Sequence, residues 1–221
     1  MSVALATRSK PDSAAATGPF FDYPAFERTP LVAEPFAHLV VPGFVRPALL
    51  PAINRDYPAI GRPGNVPVEE LHGGPTFEAM VEEMRSDAMR DRFAHKFGVD
   101  LSGTWPHTAA RARCEPTDGN IHTDHKSKLV TVLFYFNEAW DADGGRLRLL
   151  RSQNDMESHF AEVVPAGGTM LAFLRTDHSW HGHKPFVGER RFIQMSYTRG
   201  GELARKVSRL TKPVRRLLNL S

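Results

Sequence analysis

The chain has 221 residues, one cysteine, ten histidines and a formal charge of +3, which fits one domain with a sizeable core. The charge is uneven: residues 201–221 carry six Lys or Arg against one Glu, so the first 200 residues sum to −2 and give no warrant for a nucleic-acid groove. The lone Cys114 excludes an internal disulfide and fits a reducing, cytoplasmic setting.

Residues 1–19 are rich in Ala, Ser and Thr and lack the apolar core of a secretory signal, so they are expected to form a disordered arm. No apolar run reaches the length of a membrane span. Phe20, Phe21, Tyr23 and Phe26 then offer anchors onto the body. Residues 35–44 read as a strand and turn. Pro47 starts a helix of about 11 residues that buries Leu49, Leu50, Ile53 and Tyr57. Residues 61–74, punctuated by Pro and Gly, form a loop. Apolar residues from Phe77 to Phe97 recur at helical spacing, which predicts two helices meeting near Ser86 and stopped by Gly98.

Near Ala109 the period changes to that of strands, expected at 109–115, 121–124, 128–136, 146–151, 159–164, 169–174, 179–185 and 190–198. Eight short strands with turns between them predict a mainly β fold, a barrel or jelly roll with flanking helices packed outside. The chain then divides into the arm 1–19, a strand and helical buttress 20–108, a β core 109–200 and a basic tail 201–221. The tail could be an amphipathic basic helix touching an anionic membrane or an acidic partner, although Pro213 interrupts it. A terminal helix docked on its own domain is the plainer reading.

His122-Thr-Asp124 places an imidazole and a carboxylate on one face of an extended segment. His181, 57 residues beyond Asp124, can join them if a returning strand lies alongside, with His178 and His183 competing in the same stretch. Two histidines and one carboxylate occupy three positions of an octahedral ion and leave three open, the donor set of non-haem Fe(II) oxygenases.

The pair His122/Asp124, the strand 128–137, the turn Trp140-Asp-Ala-Asp-Gly-Gly145, the run Ser179-Trp-His-Gly-His-Lys-Pro185 and the strand from Gly188 to Tyr197 follow in a set order. In that order the chain resembles the Fe(II)/2-oxoglutarate-dependent oxygenases, and within them the prolyl-hydroxylase-like branch. The resemblance spans roughly residues 35–198. It implies a double-stranded β-helix, with Fe(II), 2-oxoglutarate and O2 as cofactor and cosubstrates. It selects His181 as the distal ligand, with Pro185 at +4 and Arg190 at +9. It implies that Arg190 and Tyr135 bind the distal carboxylate of 2-oxoglutarate, with Thr131, Leu133, Leu147 and Gln194 on the cosubstrate wall. Arg191 would then face away as a solvated surface charge.

The implied reaction is hydroxylation of an unactivated C–H bond coupled to conversion of 2-oxoglutarate to succinate and CO2. Related halogenases have Gly or Ala where this chain has Asp124, which argues against halogenation. Arg111, Arg113, Lys126, Trp180 and His183 lie beside the expected pocket mouth and are the candidate substrate residues, for a small-molecule, peptidyl or glycan substrate. Arg113-Cys-Glu-Pro116 stands where the family has an aromatic, a departure that weakens any carry-over of protein-proline specificity. Two rival readings are a cupin-like barrel that binds metal or sugar without turnover and an oxygenase fold serving as an interaction module.

Overall fold

The computed structural model describes residues 19–199. The expected N-terminal arm and the basic tail lie outside the described residues. Phe20 and Phe21 are buried, and Tyr23–Arg28 form a short helix, α1, capped by Asp22, whose side chain accepts from the Ala25 N–H. The sequence reading saw anchors here but no helix.

Strand β1 spans His38–Val41. The predicted Pro47 helix is a 3-10 turn, Pro47–Leu49, running into α2, Leu50–Asp56, with Leu50 and Ile53 buried. Val66–Pro67 form β2, a two-residue strand inside the expected loop. Helix α3, Pro75–Met84, buries Phe77, Met80, Val81 and Met84, the i, i+3, i+4, i+7 stripe of an amphipathic helix. Helix α4, Asp87–Phe97, starts at Ser86, whose hydroxyl accepts from the Met89 N–H, and ends at Gly98 in the left-handed region.

The β core contains β3 (Pro106–Cys114), β4 (Lys128–Tyr135), β5 (Leu147–Leu150), β6 (His159–Val163), β7 (Met170–Leu174), β8 (His181–His183) and β9 (Gly188–Thr198). The six-stranded sheet has the order β1-β7-β4-β9-β3-β2, and the three-stranded sheet the order β6-β5-β8. All the strand pairs are antiparallel. This is the double-stranded β-helix that was expected. The segment at 121–124 is not a strand: it meets β8 through one isolated bridge, His122 with His181.

Register fixes which side chains face the smaller sheet. Thr131, Leu133 and Tyr135 of β4 stand opposite Ser196, Gln194 and Phe192 of β9, and directly opposed residues in an antiparallel pair share a face. Arg111 of β3 also opposes Phe192. The apolar part of this inner face joins Leu147, Leu149 and Val163 of the smaller sheet in a compact cluster. The opposite face of the large sheet packs on the helices through a larger cluster rich in phenylalanine and methionine. Among the described residues no helix is long and apolar enough to cross a membrane.

Candidate metal centre and cosubstrate pocket

His122, Asp124 and His181 converge as the sequence predicts. One potential ligand atom from each lies within 4.8 Å of the other two. The two imidazole centroids are 4.3 Å apart. Mutual backbone bonds hold the histidines together: each N–H donates to the other's carbonyl at 3.0 Å. The approach depends on Gly119, three residues upstream, at φ +95°. His183 N donates to its carbonyl, and a Cβ there would lie 2.3 Å from the His183 carbonyl oxygen. Only glycine leaves room for that crossing.

The tautomers follow from the partners. His122 Nδ1 lies 2.8 Å from the Asn120 carbonyl and His181 Nδ1 lies 3.0 Å from the Ser179 carbonyl. A carbonyl only accepts, so both Nδ1 atoms carry the proton and both Nε2 lone pairs are free to ligate. Burial, with His122 close by, pushes His181 down to about 4, despite the opposing pull of Asp124. Burial acts to raise the Asp124 carboxyl, but the charges of Lys128 and His181 and bonds from Lys128 and Thr131 hold it below its usual range. Two imidazoles held with Nε2 toward the site and one carboxylate are a donor set that fits Fe(II).

The Asp124 carboxylate is itself gripped. Lys128 Nζ donates to Oδ1 at 2.6 Å, and the Thr131 hydroxyl donates to Oδ2. Arg175 Nε donates to the Asp124 backbone carbonyl at 3.1 Å. Sequence reasoning missed Lys128 and Arg175. It placed Thr131 correctly on the inner face but assigned it only to the cosubstrate wall. The signal for Lys128 was its position four residues beyond Asp124.

Deeper between the sheets, Arg190 is 3% exposed. Its Nε donates to the Gly145 carbonyl at 2.8 Å and its Nη2 lies 3.5 Å from the Tyr135 hydroxyl. The guanidinium sits 4.9 Å from the Phe192 ring centroid and 5.3 Å from that of Tyr135. Burial raises the Tyr135 phenol, against the lowering effect of Arg190. Leu133 and Leu147 are buried on the facing inner surfaces, Leu147 opposite His183. Gln194 is half-buried, its carbonyl 3.5 Å from the Asn65 amide.

The candidate substrate residues separate. His183 is buried, and burial together with the Arg190 charge pushes it down to about 4, so it stands at the Arg190 end of the pocket. Arg111 is half-buried on the inner face, with Nη1 2.8 Å from Asp118 Oδ2. Arg113, past a register shift in β3, and Lys126, in the turn after Asp124, are exposed. Trp180 is half-buried just before β8. Arg191 is not the solvated charge that was expected. It is half-buried over the Tyr57 ring at 5.7 Å, and its Nε pairs with Glu189 at 2.9 Å. Outward side chains here meet α2 rather than water.

A double-stranded β-helix with two histidines and one carboxylate at its mouth presents the donor set of a non-haem Fe(II) site. Residues 110–199 match the model of the 2OG-Fe(II) oxygenase superfamily, and the matched segment contains His122, Asp124 and His181. Among solved structures it is similar to a prolyl-4-hydroxylase from Pseudomonas putida, with TM-score 0.53 and 20% identity over 74% of this chain and 87% of that one. It is also similar to a prolyl 4-hydroxylase from Phytophthora capsici, with TM-score 0.49 and 16% identity over 73% and 58% of the respective chains. A Trichoplax adhaerens prolyl hydroxylase gives TM-score 0.47 and 15% identity over 76% and 86%. Comparison with curated proteins finds no significant match.

Proposed function

We propose that the protein is a hydroxylase acting on an unactivated C–H bond of a small molecule, an amino-acid residue or a glycan, with release of succinate and CO2. The observation that supports the cosubstrate assignment is Arg190. It is buried between the sheets, its neighbours are a carbonyl and two aromatic rings, and among the described residues no carboxylate pairs with it. A buried cation without an anion is costly, and the distal carboxylate of a dicarboxylic oxo-acid supplies the missing charge through a bidentate pair. A barrel that bound metal or sugar alone would not call for it.

In this reading Arg190 and the Tyr135 hydroxyl fix the far end of 2-oxoglutarate, while Leu133, Leu147 and Phe192 keep the chain of the acid dry. His122, Asp124 and His181 hold the iron. Bound there, Fe(II) supplies the redox chemistry that couples oxidative decarboxylation of the oxo-acid to C–H oxidation. Lys128 and Thr131 orient the ligating carboxylate, and the carbonyls of Asn120 and Ser179 hold the imidazoles in the ligating tautomer. Arg111, Arg113, Lys126 and Trp180 line the approach, and an amino-acid residue as substrate agrees with the name prolyl-4-hydroxylase that the Pseudomonas putida protein carries. The single cysteine, buried and free, supports a cytoplasmic setting.

Anaerobic titration of the metal-free protein with Fe(II) and 2-oxoglutarate tests this. A visible metal-to-ligand charge-transfer band is expected in the wild type and should weaken in Asp124→Ala and Arg190→Ala. Iron bound without any band would overturn the cosubstrate assignment.

A further inference from the structure

We infer that Trp140 is a positioning residue for the cosubstrate: it fixes the turn 140–145 so that the Gly145 carbonyl holds one edge of the Arg190 guanidinium and turns the other edge into the pocket. The inference rests on the cosubstrate reading above. A guanidinium offers two pairs of parallel donors, a side edge formed by Nε with Nη2 and an end edge formed by Nη1 with Nη2. The Gly145 carbonyl accepts from Nε at 2.8 Å, which closes the side edge. Among the described residues nothing bonds Nη1, and Nη2 lies 3.5 Å from the Tyr135 hydroxyl. The end edge is therefore the one that remains for a carboxylate, beside the phenol.

What aims the Gly145 carbonyl is the turn around it. The peptide unit just before, Gly144 to Gly145, is pinned at both ends: Trp140 Nε1 donates to the Gly144 carbonyl at 3.0 Å, and the Gly145 N–H donates to the Lys184 carbonyl at 3.0 Å. The indole packs directly on Gly145, where a Cβ would lie 2.6 Å from Trp140 Cζ2 and 3.2 Å from Phe186 Cβ. Phe186, in the connection from β8 to β9, backs the indole with ring centroids 4.6 Å apart. On the far side of the carbonyl, Arg146 Nε donates to the Ala142 carbonyl at 3.1 Å, and Leu147 begins β5 in register with Val163 and His183. Among the described residues Trp140 makes no bond or ring contact with His122, Asp124 or His181. Its influence therefore falls on the Arg190 end of the pocket and not on the metal.

The test uses the full chain with Mn(II) and compares two probes by calorimetry: 2-oxoglutarate, and 2-oxovalerate, which has a methyl group where 2-oxoglutarate has its distal carboxylate. The ratio of the two affinities reads the contact with that carboxylate alone. The wild type should prefer 2-oxoglutarate by about 100-fold, the worth of a charged, paired hydrogen bond. Trp140→Leu should cut that preference by about tenfold, and Trp140→Phe, which keeps a ring but loses the N–H donor, by about threefold. Affinities for 2-oxovalerate and for Mn(II) should stay at their wild-type values. A residue that merely held the fold would lower both acids' affinities together and leave the ratio unchanged. An unchanged ratio in either variant overturns the inference, as does a fall in Mn(II) affinity; if Trp140→Leu does not fold, Trp140→Phe decides alone. A wild type that binds the two acids equally well overturns the cosubstrate reading beneath the inference, and the inference with it.

Discussion

Gly119→Ala gives a sharp test of how the two histidines are brought together. At φ +95° an L side chain is strained, at a cost of about 1–2 kcal/mol. The new Cβ would also lie 2.3 Å from the backbone oxygen of His183 and 2.5 Å from its Nδ1. A backbone oxygen has no rotamer to escape into, so the segment must retreat from β8, adding about 1–3 kcal/mol of overpacking. The expected loss is about 2–5 kcal/mol in urea unfolding, together with weaker Mn(II) binding, because the His122–His181 bridge lies three residues downstream. Gly167→Ala is the control: its φ is +64°, but nothing lies within 4 Å of the added methyl. It should show the backbone strain alone and unchanged metal affinity. If Gly119→Ala unfolds and binds metal like Gly167→Ala, the crossing does not set the site.

Arg190→Met should lower 2-oxoglutarate affinity by about 100-fold, read by calorimetry with Mn(II) present, while the melting temperature of the metal-free protein does not fall, because a buried unpaired cation has been removed. A lower melting temperature with intact affinity would make Arg190 a structural strut. Thr131→Val should weaken Mn(II) binding by about tenfold through loss of the bond to Asp124; unchanged binding would remove Thr131 from the site. Tyr57→Phe should cost about 1–2 kcal/mol in denaturant unfolding, because its hydroxyl reaches the carbonyls of Arg111 at 3.1 Å and Phe192 at 2.9 Å. Glu162 is held below its usual range: burial acts to raise it, but the Arg148 bond and charge outweigh that effect. Its folded value lies below the unfolded one, so it stabilises above the ordinary glutamate range and that contribution is lost as pH falls through the folded value. Glu162→Gln should flatten the decline of the denaturation midpoint below about pH 4.5, and an unchanged decline would remove Glu162 from the acid sensitivity.

The metal triad was legible because it depends on spacing. Alternation along an extended segment brings Asp124 to the face of His122, while it was the resemblance to the oxygenases, with Pro185 at +4 and Arg190 at +9, that singled out His181 from its two neighbours. The inner face of β4 was legible for the same reason: Thr131, Leu133 and Tyr135 keep a strict period of two. Positions 121–124 misled because a ligand pair can lie on extended backbone joined to a sheet by a single bridge. Helix α1 was hidden by its brevity, six residues held by the Asp22 cap and aromatic packing rather than by an amphipathic repeat. The fate of Arg191 depended on where α2 docks, and no local period encodes that. Lys128 escaped notice because a lysine at the start of a strand reads as a solvent-facing charge until its strand is turned against the site.

The two apolar clusters divide the molecule's commitments. The larger lies on the helix side of the six-stranded sheet, where Phe21, Phe44, Phe93 and Phe134 pack with Met80, Met84 and Met195. The smaller, between the sheets, is built around Tyr135, Leu149, Phe173 and Phe192. Most of the cohesion therefore sits behind the wall that carries the chemistry. A lineage could exchange residues around the mouth, such as Arg113, Lys126 and Trp180, and try new substrates while the larger apolar cluster on the far side stays untouched. The architecture lets specificity drift without putting the fold at risk.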